Sequence, residues 1–138
     1  MINTVEKVEI LRNVPLFSNL DTKDLVLIAL VTVEEEFSEG ELVFEEGDEG
    51  DDLFVLASGH LKVVKKDSSG ASTKVAEIEP GHCVGELALF SNRPRSATLS
   101  CTRPSTLLVL SGVLLHELML EYPRLGTGMI RTIVERYT

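Results

Sequence analysis

Between Val33 and Gly85, glycine-bearing turns recur roughly every ten residues, a spacing that points to short strands. Ser38-Glu39-Gly40, Glu46-Gly47-Asp48-Glu49-Gly50, Ser58-Gly59, Asp67-Ser68-Ser69-Gly70 and Pro80-Gly81 separate runs rich in Val, Leu, Phe and Thr. Ordinary helices do not fit between such breaks, so this region reads as an all-β sandwich or roll. Leu53-Phe54-Val55-Leu56-Ala57 and Leu61-Lys62-Val63-Val64-Lys65 suggest one hairpin. Lys74-Val75-Ala76-Glu77-Ile78 alternates, which implies one wet face. Residues 96–101 and 106–110 suggest a last pair of strands around Arg103-Pro104.

Helical periodicity flanks the strands. Val5 and Val8, with Leu11, mark a short amphipathic piece ended by Asn13 and Pro15. Asp21 is a good N-cap, with Asp24 three residues on, and Leu25, Ile28, Ala29 and Thr32 follow at helical spacing. After Ser111, Leu114, Leu115, Leu118 and Met119 share a face until Tyr122-Pro123. A last helix would turn Ile130, Ile133, Val134 and Tyr137 to one side, with Gly126 and Gly128 as hinge positions. The expected organisation is one domain over 1–138: helical 1–32, a β-roll over 33–110 and C-terminal helices over 111–138.

Charge narrows the partners. The 138 residues carry 22 acids against 13 bases, a formal charge of −9. That balance opposes direct DNA binding by this chain and a polybasic membrane contact. No apolar run is long enough to span a membrane. The N-terminus lacks a secretory pattern, and Cys83 and Cys101 suit free thiols, so a cytoplasmic location is expected. Eleven of the acids lie between Glu34 and Asp52, read as a solvated face around turns. An EF-hand frame starting at Asp48 fails, since Leu53 stands where Gly is needed and Gly59 where Glu is needed. His60, His82 and His116 are scattered, so no metal centre is expected. No nucleophile elbow or catalytic cysteine signature occurs, so no enzyme activity is expected.

The chemistry concentrates in Gly85-Glu86-Leu87-Ala88-Leu89-Phe90-Ser91-Asn92-Arg93-Pro94-Arg95-Ser96-Ala97-Thr98. Gly85 and Ala88 let backbone approach a ligand closely. Arg95 can grip a phosphate with two parallel N–H bonds. Glu86 offers an acceptor for a sugar hydroxyl. One anion clamp beside one hydroxyl acceptor suits a small ligand with a phosphate next to a ribose. On spacing alone, Glu86 and Arg95 fit a surface ion pair equally well.

The order of the whole segment resembles the phosphate-binding cassette of cyclic nucleotide-binding domains, as in catabolite-activator-type regulators and cyclic nucleotide-dependent kinases. Phe37-Ser38-Glu39-Gly40-Glu41, Phe44-Glu45-Glu46-Gly47-Asp48 and Leu53-Phe54-Val55-Leu56-Ala57-Ser58-Gly59 match that family's strand-and-glycine pattern. The resemblance implies a mainly β fold, a β-roll with N-terminal and C-terminal α-helices and the cassette at 85–98. It implies that Glu86 binds the ribose 2′-hydroxyl and Arg95 the cyclic phosphate. Gly85, Leu87, Ala88, Ser96 and Ala97 would line the pocket. Val63, Val75 and Val84 fall where relatives place aliphatic residues near the sugar or base. Ser96 favours cyclic AMP (cAMP) as the ligand, with cyclic GMP (cGMP) as the alternative. Val84 departs from the aromatic residue that many members carry. Tyr137 is a candidate cap for the base, or a core or dimer-face tyrosine. The implied role is a sensor that couples binding to its C-terminal helices. Its output would be a homodimer through the last helix or an effector protein. The alternatives are a structural domain that senses nothing and the sensor part of a transcription regulator.

Overall fold

In the computed structural model, which describes residues 1–136, three helical segments precede six strands and two helices close the chain. Helix α1 (Thr4–Arg12) begins in a capping box: the Asn3 side chain accepts from Glu6 N, and Glu6 accepts from Asn3 N. Its Val8 and Leu11 are buried, whereas Val5, expected inward, is exposed. A 3-10 turn (Pro15–Phe17) buries Leu16 and Phe17. Helix α2 (Thr22–Leu30) starts in a second capping box, Asp21 with Asp24, as the sequence suggests.

The strands are β1 (Thr32–Phe37), β2 (Leu42–Phe44), β3 (Leu53–Lys66), β4 (Ser72–Ile78), β5 (Cys83–Val84) and β6 (Thr98–Leu110). They pair antiparallel in the order β1-β6-β3-β4, with β2 on β6 and β5 on β3. Two expected hairpins are absent. Residues 53–66 form one long strand, and so do residues 98–110. The two run side by side and bend together, with register shifts around Ser58 and His60. Gly59, at φ +106°, is the inside of that bend and not a chain reversal.

Two hydrophobic clusters result. One packs α1, α2 and the C-terminal helices onto the sheet through Leu16, Phe17, Leu25, Ile28, Leu110, Leu115, Leu125 and Met129. The other fills the roll with Leu56, Leu61, Leu99, Cys101 and Leu107. Each such side chain contributes about 1.5–3 kcal/mol on burial.

Helix α4 (Gly112–Glu121) is capped by Ser111. Helix α5 (Pro123–Arg136) starts at Pro123, a favoured first position. Gly126 and Gly128 lie inside it, buried. A Cβ on Gly128 would fall 2.7 Å from Leu20 Cδ2, so this glycine permits close helix packing rather than marking a break. That contact turns Leu125, Met129 and Thr132 inward and leaves Ile130 and Val134 about half exposed, contrary to the expected face. Arg124 Nε, 2.8 Å from buried Asp24, and Asn19 Nδ2, 2.7 Å from Thr132 Oγ1, tie α5 to the N-terminal helices.

Candidate functional site

Helix α3 (Glu86–Ser91) interrupts the roll between β5 and β6. Gly85 opens it in the left-handed region (φ +105°), where a side chain is strained. A Cβ there would meet Asp52 O at 2.8 Å and Arg95 Nη1 at 2.9 Å, so glycine is what lets the cassette close over the arginine. Asn92, at φ 56°, ends the helix, a conformation asparagine tolerates.

Arg95 is 6% exposed. Its backbone is clamped by Arg95 N donating to Asp48 O and Gly47 N donating to Arg95 O, both at 2.8 Å. Its guanidinium lies 4.4 Å from the Phe44 ring centre and 5.6 Å from that of Phe54. Nη2 donates to Asp52 O at 2.9 Å. Among the described residues, Nη1 is the buried side-chain polar atom left without a partner. A buried donor of this kind costs free energy unless something accepts from it. Burial lowers the arginine's proton affinity, and Asp52, Asp51 and Asp48 oppose that effect. The end of the acidic run therefore faces Arg95 and is more than a solvated surface. The sequence distance between the run and the cassette hid this, because the pairing of β2 on β6 and of β5 on β3 brings them together.

A cavity of about 550 Å³ opens over the cassette. Val63, Val84, Gly85, Glu86, Leu87, Ala88, Arg95, Ser96 and Ala97 line it, in keeping with nine of the ten expected positions. Val75 lies outside that lining and is 55% exposed. The whole stretch from Ser72 to Glu77 is exposed, so the alternation expected there does not hold, and Val75 is also the extra residue of a bulge in which Val63 pairs with Ala76 and Val64 with Lys74. Sequence reasoning missed Phe44, Arg93 and Arg136, which also line the cavity. Arg136 sits one residue before Tyr137, which lies outside the described residues along with Thr138. Phe44 was visible only as a strand aromatic, with nothing to say that it underlies an arginine.

Glu86 has a side chain 15% exposed, with Oε1 3.9 Å from Arg136 Nη1. Cys83 Sγ faces Glu86 Oε2 at 3.9 Å. Burial, then the Glu86 charge, pushes the Cys83 thiol up to about 12. Its thiolate fraction near neutral pH falls by about a thousandfold against an ordinary thiol. Iodoacetamide at neutral pH is therefore expected to spare Cys83 in the native protein and modify it after denaturation. Peptide mapping by mass spectrometry separates Cys83 from the other free thiol, Cys101, and prompt native labelling of Cys83 would contradict the expectation.

The fold and the site define a ligand-binding β-roll with a buried arginine under a glycine-started cassette. The family model for the cyclic nucleotide-binding domain matches residues 34–122, and the chain belongs to that family. It is 34% identical over 122 residues to the cAMP-dependent protein kinase regulatory subunit of Yarrowia lipolytica, covering 88% of this chain and 30% of that protein. The chain thus spans about a third of the length of such curated relatives. A structure of the N-terminal domain of a transcriptional regulator from Streptomyces coelicolor A3(2) superposes with a TM-score of 0.85 at 30% identity. That match covers 93% of this chain and 89% of the other. The regulatory domain of Toxoplasma gondii PKA, solved with cAMP, matches with a TM-score of 0.75 at 34% identity, over 79% of this chain and 41% of that one. The matched residues, 34–122, span nearly all of the β-roll, the cassette and α4. Among the described residues, no helix is long and apolar enough to cross a membrane.

Proposed function

We propose that the domain senses cAMP and passes the binding event to its last helix. The observation that carries this is the partnerless Nη1 of Arg95, buried at the wall of a cavity built by the cassette. A cyclic phosphate would accept from it, and Glu86 would accept from the ribose 2′-hydroxyl. Phe44 stacks under the guanidinium and holds its plane. Ser96, at the cavity edge, favours cAMP, and cGMP is the alternative ligand. Val63, Val84, Ala88 and Ala97 supply the apolar walls that a small ligand needs. In this reading the ligand is bound and released unchanged. Isothermal titration with both nucleotides tests the reading: tighter binding of cAMP supports it, and binding of neither refutes it.

The route to the helix is the pair between Glu86 and Arg136. A ribose hydroxyl at Glu86 competes with Arg136, so binding shifts the population of α5 arrangements. Arg136→Ala is expected to remove most of the ligand-induced change in α5 hydrogen exchange while changing affinity less than about tenfold. An unchanged exchange response would place the coupling elsewhere. The domain's output is then a homodimer through the last helix or an effector protein. The match to the Streptomyces coelicolor domain favours a second reading, that this is the sensor part of a larger regulator.

A further inference from the structure

Arg93 lines the cavity, and the phosphate and ribose contacts assigned above do not use it. Asn92 ends α3 in the left-handed region, and Pro94 disfavours helical backbone at the residue before it, so Arg93 sits on a short link between the cassette helix and Arg95. Its backbone N–H donates to Ser91 Oγ at 3.4 Å. The residue is exposed, and among the described residues its guanidinium has no hydrogen bond or ion pair.

The other arginines of the lining are engaged. Arg95 is buried, and Asp52, Asp51 and Asp48 offset its charge. Arg136 Nη1 lies 3.9 Å from Glu86 Oε1. On the opposite wall, Glu77 Oε1 is 3.3 Å from Lys74 Nζ and 3.8 Å from His60 Nε2, and Glu79 Oε1 is 3.3 Å from the same ring nitrogen. Glu49 and Asp51 share a second, smaller pocket of about 330 Å³ with Arg93, without pairing to it. The chain around this mouth carries a formal charge of −9. An anion that approaches is repelled over most of the surface, and the unpaired arginine marks where it can enter.

We propose that Arg93 is a steering residue, which draws the anionic cyclic nucleotide to the cavity mouth and passes its phosphate to Arg95, two residues on. The proposal rests on the cavity taking a cyclic nucleotide. Steering acts on the association rate, because an exposed charge guides the encounter and adds little once the phosphate is seated on the buried arginine. One unit charge a few ångströms away in water changes that rate by a factor of about three to five. Salt removes the effect, since the Debye length falls from about 30 Å at 0.01 M to about 3 Å at 1 M.

Stopped-flow association and dissociation of a fluorescent cAMP analogue, at about 0.01 M and about 1 M salt, test it with Arg93→Gln, Arg93→Glu and Lys23→Gln. Lys23 is an exposed cation on α2, outside the lining, so its variant controls for net charge. At low salt Arg93→Gln is expected to associate about three- to fivefold more slowly and Arg93→Glu about ten- to twentyfold, with dissociation within about twofold of wild type. At high salt the association rates should close to within about twofold. The Arg93 side chain holds no partner in the fold, so both variants keep the native structure. Wild-type association at low salt in both Arg93 variants overturns the proposal, and so does equal slowing in Lys23→Gln. A loss carried by faster dissociation and kept at high salt also overturns it, and makes Arg93 a direct phosphate ligand. A wild type that binds no cyclic nucleotide at either salt concentration overturns the nucleotide reading itself.

Discussion

Replacing Arg95 with leucine is expected to weaken cyclic nucleotide binding by about 10²- to 10⁴-fold while leaving the ligand-free fold near wild-type stability. The binding loss follows from two charge-assisted hydrogen bonds to phosphate, about 1.5–3 kcal/mol each. Their sum of about 3–6 kcal/mol converts at one decade per 1.4 kcal/mol. The stability forecast follows from what the guanidinium lacks. Its Nη1 has no partner, and its one side-chain hydrogen bond goes to Asp52 O. The strand-like bonds through Arg95 N and O belong to the backbone and survive the substitution. Leucine packs on Phe44 and Phe54 without the desolvation that a buried cation carries. The ligand-free variant should therefore unfold within about 1 kcal/mol of wild type. Calorimetric titration and a thermal melt on the same sample decide it. Binding within threefold of wild type removes Arg95 as the phosphate anchor. A loss of more than about 3 kcal/mol would make the guanidinium structural instead.

The residues around the cavity were legible in the sequence, and the construction that holds them was not. The cassette residues stand in one continuous segment, so their order alone located the cavity. Local signals also served the helices: the Asp21–Asp24 capping box lies where the spacing puts it. What failed depends on long-range pairing. Ser58-Gly59 has the composition of a hairpin turn, and only the register of β3 against β6 reveals a strand that bends and continues. Val75 sits in a stretch that alternates in sequence, and only the place of β4 at the end of the sheet, exposed from Ser72 to Glu77, leaves it outside the cavity. The acids Asp48, Asp51 and Asp52 read as surface because their cation lies more than forty residues away in sequence. Arg136 could not be placed at Glu86 without knowing that Gly126 and Gly128 let α5 pack against Leu20 and Met119. Periodicity reports which face of an element is apolar. It does not report which elements a bent sheet brings together.

Gly59 turns this difference into a second large effect. A Cβ at this position, with φ +106°, would strike the Ser105 side chain and approach Ser105 Cα at 2.6 Å. The neighbour is backbone of β6, whose own position is fixed by pairing on both sides of the bend. It cannot move away as a flexible side chain could. His60 N donating to Ser105 Oγ sits at the same crossing and would be disturbed with it. Gly59→Ala therefore combines backbone strain of about 1–3 kcal/mol with overlap of about 1–3 kcal/mol. The expected loss is about 3–5 kcal/mol, or about 10–20 °C in Tm for a domain of this size. Gly70 provides the control, because it shares a positive φ of +84° with nothing within 4 Å of its Cβ position. Gly70→Ala carries the strain without the overlap and should cost no more than about 1–2 kcal/mol. Two melts compared side by side isolate the close approach of β3 and β6. If the two variants melt together, Gly59 is an ordinary turn glycine and the shared bend of the long strands does not limit stability.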